Sequence, residues 1–286
     1  MGNGNDFRSD VLKQMTAAAC AGMLADSLVY PLMTVKSRLM VGGSYKYNGP
    51  FDALTTIARQ EGWRTLYKGY ASVVQVAPSQ ALYMSTYQTI KAIVPGGQEN
   101  PVVHFCGGLF ATLVQSLVSV PLEVVRQRQM VHTAGQPAYK GSLDAARTIY
   151  AQEGLGALYR GFLLAQMVWG PYNAIYLPLW ERTKMLAVRY TGVESKEQLG
   201  MHWELSSSFL SASVASACTN PMDVVKTRLQ VQGKSKQYKG TLDAAQKIWK
   251  KEGIKGFTSG MSSRILWVGT SCMVMFTAYD QFMKRL

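Results

Sequence analysis

The sequence predicts an all-α membrane protein in which six transmembrane helices form three tandem repeats. Three observations carry this prediction: long segments without a charged side chain, a motif that recurs three times, and basic residues concentrated between the apolar segments. The chain has 286 residues, of which 48% are hydrophobic and only 16% are charged. A soluble domain usually has about 25% charged residues, so this composition disfavours a soluble protein.

Four segments have no Asp, Glu, Lys or Arg, and each is about as long as a helix that crosses a bilayer. They are residues 70–90, 102–122, 162–180 and 205–222. With two further apolar stretches near the chain ends, they predict six spans, at 10–40, 70–94, 101–131, 162–188, 204–231 and 260–285. A proline inside each odd-numbered span is compatible with a packed bundle, where neighbouring helices satisfy the freed carbonyl groups.

One motif occurs three times: a proline, then an acid position two residues later, then basic residues five and seven residues later. The copies begin at Pro31, Pro121 and Pro221. A Glu-Gly pair follows each copy, and a further glycine follows each glutamate by eight residues, at 69, 161 and 260. Spacings reproduced identically in three copies define a single domain of three repeats, at approximately 10–95, 101–190 and 204–286.

Each repeat also contains a short amphipathic helix between its two spans, at 51–60, 142–152 and 241–251. The polar stretches that include these helices, residues 36–68, 126–160 and 226–259, hold 20 basic and 6 acidic side chains, whereas the rest of the chain holds 10 and 11. The positive-inside rule assigns this basic side to the cytoplasm or the mitochondrial matrix, with both termini opposite. Basic residues confined to loops do not fit a nucleic-acid-binding protein, which would present a basic face with groove-reading elements.

The proline motif, the Glu-Gly pairs and the triplets Tyr67-Lys68-Gly69 and Tyr159-Arg160-Gly161 resemble the signature of the mitochondrial carrier family, over essentially the whole chain. The resemblance implies a six-helix barrel with pseudo-threefold symmetry and three short matrix helices. It implies a monomer in the mitochondrial inner membrane, with both termini in the intermembrane space, that moves one small solute by alternating access. The sequence shows no metal-binding His cluster, nucleophile elbow or phosphate loop, so neither an enzyme nor a cofactor is expected.

Finer similarities point to two groups within that family. The segments at 29–31, 115–121 and 219–225 resemble carriers of branched-chain amino acids. The segments at 178–181 and 264–267 resemble S-adenosylmethionine carriers, although these usually have an Arg-Glu pair in place of Val168-Trp169. The sequence therefore predicts an amino-acid-like solute, with S-adenosylmethionine as the alternative. Further alternatives are a metal ion, which the 15 methionines suggest, and a non-transporting scaffold on the same fold.

By this resemblance, the motif charges close a gate on the matrix side. An acid and a base three residues apart share one face of a helix. The expected members are Lys36, Glu123, Arg126, Asp223 and Lys226, with Gln230 as a brace. Glu123 is expected to pair with Lys226 and Asp223 with Lys36, whereas Met33 replaces the acid that Arg126 would meet. The alternative is that these charges only snorkel at the membrane interface.

The opposite, cytoplasmic gate would come from an aromatic-acid-x-x-base motif on the even-numbered spans. The expected members are Lys91, Glu181, Lys184 and Asp280. Only the copy at 180–184 is complete, because the first copy has lost its acid and the third its base. Two incomplete gates predict less stable closed states, which permits net transport as well as exchange.

Backbone amides at helix N-termini bind anions, and in carriers they hold cardiolipin headgroups. The resemblance assigns this role to Gly49, Gly69, Gly141, Gly161 and Gly240. The third site has lost its base, because the matching triplet is Thr258-Ser259-Gly260.

A substrate site is predicted two helical turns before the gate acids, on the same helix faces. These positions hold Asp26, Ser116 and Ser216, and a lone ionisable residue at membrane depth is a functional candidate. The resemblance adds contacts on the even-numbered spans, at Gln75, Val168, Trp169, Arg264 and Trp267. One acid, one base and two aromatic rings suit a zwitterion with an apolar side chain. A structural hydrogen bond for Asp26 and a lipid-facing or packing position for either tryptophan are the open alternatives.

The four cysteines, at positions 20, 106, 218 and 272, lie in apolar segments at unrelated spacings. They match neither a metal site nor a disulfide framework, so they are expected to be buried, inert thiols.

Overall fold

The computed structural model describes residues 4–41, 47–94, 101–131, 139–193, 199–233 and 237–283, and within these ranges the regular structure is entirely helical. The α-helices are α1 Gly4–Val41, α2 Pro50–Gln60, α3 Val76–Ile93, α4 Pro101–Val131, α5 Ser142–Glu153, α6 Leu155–Leu158, α7 Phe162–Thr191, α8 Met201–Val231, α9 Thr241–Glu252, α10 Ile254–Phe257 and α11 Met261–Met283. Two 3-10 segments, Trp63–Tyr67 and Tyr70–Gln75, precede α3. The predicted all-α fold of three repeats is confirmed.

The long helices follow the six predicted spans closely. The second span differs, because its first six residues form a 3-10 segment and only the remainder is α-helical. Proline does not interrupt α1, α4 or α8, which continue through Pro31, Pro121 and Pro221. By length and hydropathy alone, one helix in the described ranges qualifies as a membrane span, at Cys106–Val131 in α4, with a mean hydropathy of 1.6.

The short helices α2, α5 and α9 pack in the same way on the long helix that precedes each of them. In the first repeat, Ala53 and Ile57 of α2 are buried against Val35 of α1 and Leu66. The same positions recur as Ala145, Ile149 and Val125 in the second repeat, and as Ala244, Ile248 and Val225 in the third. Two apolar residues four positions apart lie on the same face of a helix. In each repeat this face packs against the valine that follows the motif proline by four residues.

The glycine that follows each Glu-Gly glutamate by eight residues lies where the chain passes against the neighbouring long helix. Gly69 has a φ of +85°, and a Cβ at this position would lie 3.3 Å from the carbonyl oxygen of Arg126 in α4. Gly260 has a φ of +71°, and a Cβ there would lie 3.2 Å from the carbonyl oxygen of Lys36 in α1. A left-handed backbone and a close approach both favour glycine, which explains why this residue recurs at a constant spacing.

The expectation of buried cysteines is wrong for three of the four residues. Cys20, Cys106 and Cys218 are exposed and Cys272 is half-buried, with all four thiols free. A membrane helix turns part of its apolar surface outward to lipid, so an apolar segment does not imply burial within the protein.

Candidate functional site

The long helices α1, α4 and α8 meet near their C-terminal ends through two ion pairs, one buried and one partly buried. Lys36 Nζ of α1 lies 2.6 Å from Asp223 Oδ2 of α8, and Lys226 Nζ of α8 lies 2.6 Å from Glu123 Oε1 of α4. These are the two pairs that the family resemblance implied. Together with Arg126 and Arg264, these four residues are called the charged layer below.

The third pair of the charged layer is absent from the described residues. Met33 occupies the acid position and is 3% exposed, in an apolar cluster with Tyr30, Val73 and Met130. The Nε atom of Arg126 is buried without a hydrogen-bond partner in the described part of the chain. The seam between α1 and α4 therefore lacks the ion pair that joins each of these helices to α8.

A second set of contacts, which the sequence analysis did not assign, is complete in all three repeats. The second base of each motif, Arg38, Arg128 or Arg228, binds both carboxylate oxygens of the glutamate in the Glu-Gly pair of its own repeat. Each of these arginines also donates its Nε–H to a backbone carbonyl near the end of the next long helix. The accepting oxygens belong to Met130, Gln230 and Met40, at 2.9, 3.1 and 2.9 Å respectively.

These arginines link the repeats in a closed cycle, from the first to the second, the second to the third and the third to the first. The carbonyl groups of the last helical turn have no partner within the helix, so each arginine caps the C-terminus of a neighbouring helix. The recurrence of the second base and the Glu-Gly pair, 23, 25 and 24 residues apart in the three repeats, was the available signal. Only the structure shows that these groups bind each other.

The expected brace at Gln230 is not formed. Its side chain is fully buried, yet neither the amide nitrogen nor the amide oxygen has a hydrogen-bond partner among the described residues. The side chain lies instead against Gly161, where an added Cβ would be 3.5 Å from Gln230 Cγ. The backbone carbonyl of Gln230 is used by Arg128, so this residue contributes to the junction through its main chain.

Arg264 of α11 lies inside the bundle and contacts α8. Its Nε is 3.4 Å from Asp223 Oδ2, and its Nη2 donates a hydrogen bond of 2.8 Å to Thr219 Oγ1. Its Nη1 is buried and has no partner among the residues that the structure describes. Arg264 is therefore held on two sides by α8 and retains one open donor.

Trp267 packs in the interior, which excludes a lipid-facing position for this residue. It contacts the cluster of Tyr30, Met33 and Met130, and Lys36 Nζ lies 5.0 Å from the centre of its ring. This distance permits a cation–π interaction, so Trp267 lies directly beside the ion pair of Lys36.

The three residues that lie two helical turns before the motif acid positions have different surroundings. Asp26 is half-buried, and Arg126 interacts electrostatically with its carboxylate. Ser116 accepts a hydrogen bond from Gln166 of α7, whereas Ser216 Oγ is buried without a partner in the described ranges. The side chain of Gln75, also predicted to contact solute, lies outside the described residues.

The predicted contact at Val168 and Trp169 adjoins a row of aromatic rings along α7. Val168 is buried and Trp169 is 52% exposed. The ring of Trp169 meets Tyr172 edge-on at 5.7 Å, and Tyr172, Tyr176 and Trp180 then follow in nearly parallel stacks at 5.7 and 6.2 Å. This row offers flat apolar surface with hydroxyl groups at intervals.

Comparison with known families gives a match in triplicate. The family described as "Mitochondrial carrier protein" matches residues 7–98, 97–191 and 197–286, which together span almost the whole chain. The chain belongs to the mitochondrial carrier family. This carrier is therefore a transporter of small molecules in the mitochondrial inner membrane and not an enzyme, as the sequence predicted.

Individual relatives cover nearly the full length of this carrier. It is 35% identical over 293 residues to Mitochondrial substrate carrier family protein E of Dictyostelium discoideum, with 97% of this chain and 96% of the relative aligned. It is 30% identical over 291 residues to S-adenosylmethionine carrier 1, chloroplastic/mitochondrial, of Arabidopsis thaliana, covering 98% and 81%. It is also 30% identical over 274 residues to Solute carrier family 25 member 44 of Homo sapiens, covering 90% and 85%.

At the end of the carrier opposite the charged layer, Lys184 has a partner that the sequence analysis missed. Its Nζ lies 2.7 Å from Glu204 Oε1 at the start of α8 and 4.6 Å from the ring of Trp180. Lys91 Nζ lies 5.4 Å from the ring of Tyr87 in its own helix, and Glu181 is exposed. The side chain of Asp280 lies outside the described residues. The aromatic-acid-x-x-base motif did not predict that Lys184 pairs with α8, which is the fifth span, and not with another of the even-numbered spans.

The glycines assigned to lipid binding adjoin a groove between the first and second repeats. The groove has a volume of about 310 Å³ and is lined by Arg64, Tyr67, Lys68, Gly69, Tyr70, Ala71, Gln129, Tyr139, Lys140, Gly141 and Ser142. Gly141 precedes the first residue of α5, so the free amides of that helix begin here. Gln129 Nε2 is buried without a hydrogen-bond partner in the described part of the carrier. Gly161 and Gly240 occupy the matching positions of the next interface, and Gly49 precedes α2.

Proposed function

We propose that this carrier transports a small amino-acid-like solute across the mitochondrial inner membrane by alternating access. The observation that carries the proposal is the open donor of Arg264, whose Nη1 is buried without a partner in the described residues. A buried guanidinium with an unused donor suits a ligand carboxylate, because charge-assisted hydrogen bonds to carboxylates are among the strong ones.

The carboxylate of Asp26 supplies the complementary charge, nearer the N-terminus of α1. Asp26 is half-buried and makes no ion pair among the described residues, so it can accept the ammonium group of a solute. Ionisable residues at membrane depth that face a bundle interior commonly mark solute pathways. Trp267 beside the charged layer and Trp169 on α7 would then cover the apolar part of the solute.

One relative supports the same chemistry. S-adenosylmethionine carrier 1 is named for a solute that has an α-amino acid end, with one ammonium and one carboxylate group. The stacked rings of Tyr172, Tyr176 and Trp180 favour S-adenosylmethionine as the second candidate here, because they present a flat surface on which a purine ring could stack.

The orientation and the two gates belong to the same proposal. The basic end faces the matrix, in agreement with the positive-inside rule, and both termini lie in the intermembrane space. The pairs Lys36–Asp223 and Glu123–Lys226 are formed in this structure, which supports a matrix gate that is closed in this state. In the opposite state these pairs separate, and a cytoplasmic gate closes with Lys91, Glu181, Lys184 and Asp280 as its members. The carrier acts as a monomer, since each repeat contributes to one central pathway.

The groove beside Gly69 and Gly141 is proposed to bind a cardiolipin headgroup. Three cations line it, Arg64, Lys68 and Lys140, together with the free amides of α5. The unused Nε2–H of Gln129 provides a further donor. Phosphate groups bind readily at helix N-termini, particularly beside Lys and Arg.

The substrate proposal is tested by uptake into liposomes that contain the purified carrier. The solutes compared are leucine, alanine, S-adenosylmethionine, malate and ATP. We expect uptake of a zwitterionic amino acid or of S-adenosylmethionine, and we expect Asp26→Asn and Arg264→Gln each to abolish it. Arg147→Gln, on the exposed surface of α5, is the matched control and should transport normally. Uptake restricted to malate or ATP, or full uptake by both site variants, would contradict the proposal.

A further inference from the structure

We propose that this carrier binds an anion at Arg126, and that the anion takes the place of the carboxylate that Met33 does not supply. The bound anion completes the third ion pair of the charged layer, at the seam between α1 and α4.

The charges of the layer do not balance without such an anion. Four cations, Lys36, Arg126, Lys226 and Arg264, face two carboxylates, Glu123 and Asp223. Asp26 also interacts electrostatically with Arg126, but counting this carboxylate still leaves one positive charge in excess. Uncompensated charge in a low-dielectric interior is costly, and a zwitterionic solute brings no net charge to offset it. A further anion at this level removes the imbalance.

The geometry around Arg126 places the excess charge on this residue. Its Nε is buried without a hydrogen bond in the described ranges, and no ion pair of Arg126 occurs among those residues. Glu123 and Asp26 interact with it electrostatically, but Glu123 Oε1 already lies 2.6 Å from Lys226 Nζ. A guanidinium presents several N–H donors in one plane, a shape that matches a carboxylate or a small inorganic anion.

The seam between α1 and α4 is also the one at which the described residues form no ion pair between the long helices. The seam between α8 and α1 has the Lys36–Asp223 pair, and that between α4 and α8 has the Lys226–Glu123 pair. Between α1 and α4, the polar contacts of the described residues in this region are made by Arg38 and Ser37 with Met130. An anion at Arg126 therefore strengthens the seam that has no ion pair of its own among the residues that the structure describes.

The ligand is a small anion, and it has two possible sources. It is either a second carboxylate on the transported solute, a case that rests on the proposed function, or an inorganic anion such as chloride that binds beside a neutral solute. In both cases the closed layer is more stable when the anion is bound, because only that state brings the anion and Arg126 together in a desolvated site.

The test measures thermal unfolding of the purified full-length carrier in detergent at constant ionic strength, with methanesulfonate as the background anion. The added probes are sodium chloride, sodium acetate and sodium glutamate, with alanine as a zwitterion that adds no net charge. We expect the effective anion to raise the unfolding midpoint of the wild type by about 3 °C at ten times its Kd. Arg147→Gln should respond like the wild type.

Two variants decide the assignment. Arg126→Gln removes the cation, and Met33→Glu supplies a permanent carboxylate, so neither should respond to the probes. A response to glutamate or acetate but not to chloride identifies a carboxylate, and an equal response to chloride identifies an inorganic anion. The proposal is overturned if no probe stabilises the wild type, or if Met33→Glu responds as strongly as the wild type does. Because no transport is measured, failure of the anion site is distinguishable from failure of the amino-acid uptake assay.

Discussion

The guanidinium of Arg264 lies 3.4 Å from the carboxylate of Asp223, so a residue proposed to bind solute contacts a residue proposed to close the gate. Asp223 Oδ2 also accepts the ammonium group of Lys36 at 2.6 Å. A solute carboxylate that binds Arg264 therefore competes with Asp223 and weakens the closed charged layer. This contact gives a direct physical link between solute binding and gate opening.

Asp223→Asn should destabilise the carrier more than Glu123→Gln. The first variant leaves Lys36 and Arg264 without the carboxylate that both contact, whereas the second breaks one ion pair, with Lys226. Loss of one partner from a buried ion pair costs about 3–5 kcal/mol. The measurement is the midpoint of thermal unfolding of both variants in the same detergent. Equal decreases would show that Arg264 draws no stability from Asp223.

Met33→Glu should stabilise the closed layer and slow net transport. The new carboxylate would lie one helical turn from Lys36 and next to the seam where Arg126 has no ion pair in the described structure. A gain of about 1.4 kcal/mol shifts a two-state equilibrium about tenfold towards the state open on the opposite side.

Uptake into empty and preloaded liposomes measures this effect, and Met33→Leu is the matched control. Exchange should be less affected than net uptake, and the unfolding midpoint should rise. An unchanged ratio of exchange to net uptake, with no rise in the midpoint, would show that the absent acid at position 33 does not limit gate closure.

Glu153→Gln should cost more stability than Glu252→Gln. The side chain of Glu153 is 6% exposed and binds Arg128 and Arg160, whereas that of Glu252 is 38% exposed and pairs with Arg228. A partly exposed pair contributes up to about 1 kcal/mol, and a buried pair costs several times more to break. Thermal unfolding of the two variants side by side gives the order, and the reverse order would rule out burial as the deciding factor.

The stability of the carrier should fall in acid, in part through Glu153. Burial raises the pKa of this carboxyl group, but the hydrogen bonds and charges of Arg128 and Arg160 outweigh that effect and hold the pKa below its ordinary value. A pKa lowered on folding stabilises the protein above the unfolded value, about 4.3, and the contribution is lost as the pH falls through the folded pKa. The unfolding midpoint of Glu153→Gln should therefore depend less on pH below about 4.3 than that of the wild type.

Gly69→Ala should destabilise the carrier, whereas Gly141→Ala should be tolerated. Gly69 has a φ of +85° and its added Cβ would lie 3.0 Å from Tyr30 Oη, but Gly141 is extended and has open space beside it. A non-glycine residue in the left-handed region costs about 1–2 kcal/mol before any steric contact is counted. Both glycines line the groove that is proposed to bind cardiolipin, so a difference in unfolding midpoint separates backbone strain from a shared effect on lipid binding.

Several features were readable from the sequence because they depend on local spacing. The three repeats, the long helices and the short amphipathic helices follow from periodicity, since side chains three or four residues apart share one helix face. The two ion pairs of the charged layer required the family resemblance as well. Met33 was recognisable as a missing acid because two intact copies of the motif stand beside it in the same chain.

Other features depended on which groups meet in space, and no single segment specifies that. Arg38, Arg128 and Arg228 each cap a long helix of another repeat, at a backbone carbonyl that lies 92, 102 or 188 residues away in the sequence. Every residue has a backbone carbonyl group, so the sequence does not show which one is used. The buried amide of Gln230, which makes no hydrogen bond among the described residues, is likewise visible only in the structure. The sequence by itself determined the family, the repeats and the types of charge in the layer. Only the tertiary structure decided that Arg264 shares Asp223 with Lys36, because the depth and direction of a side chain are set by how the helices pack.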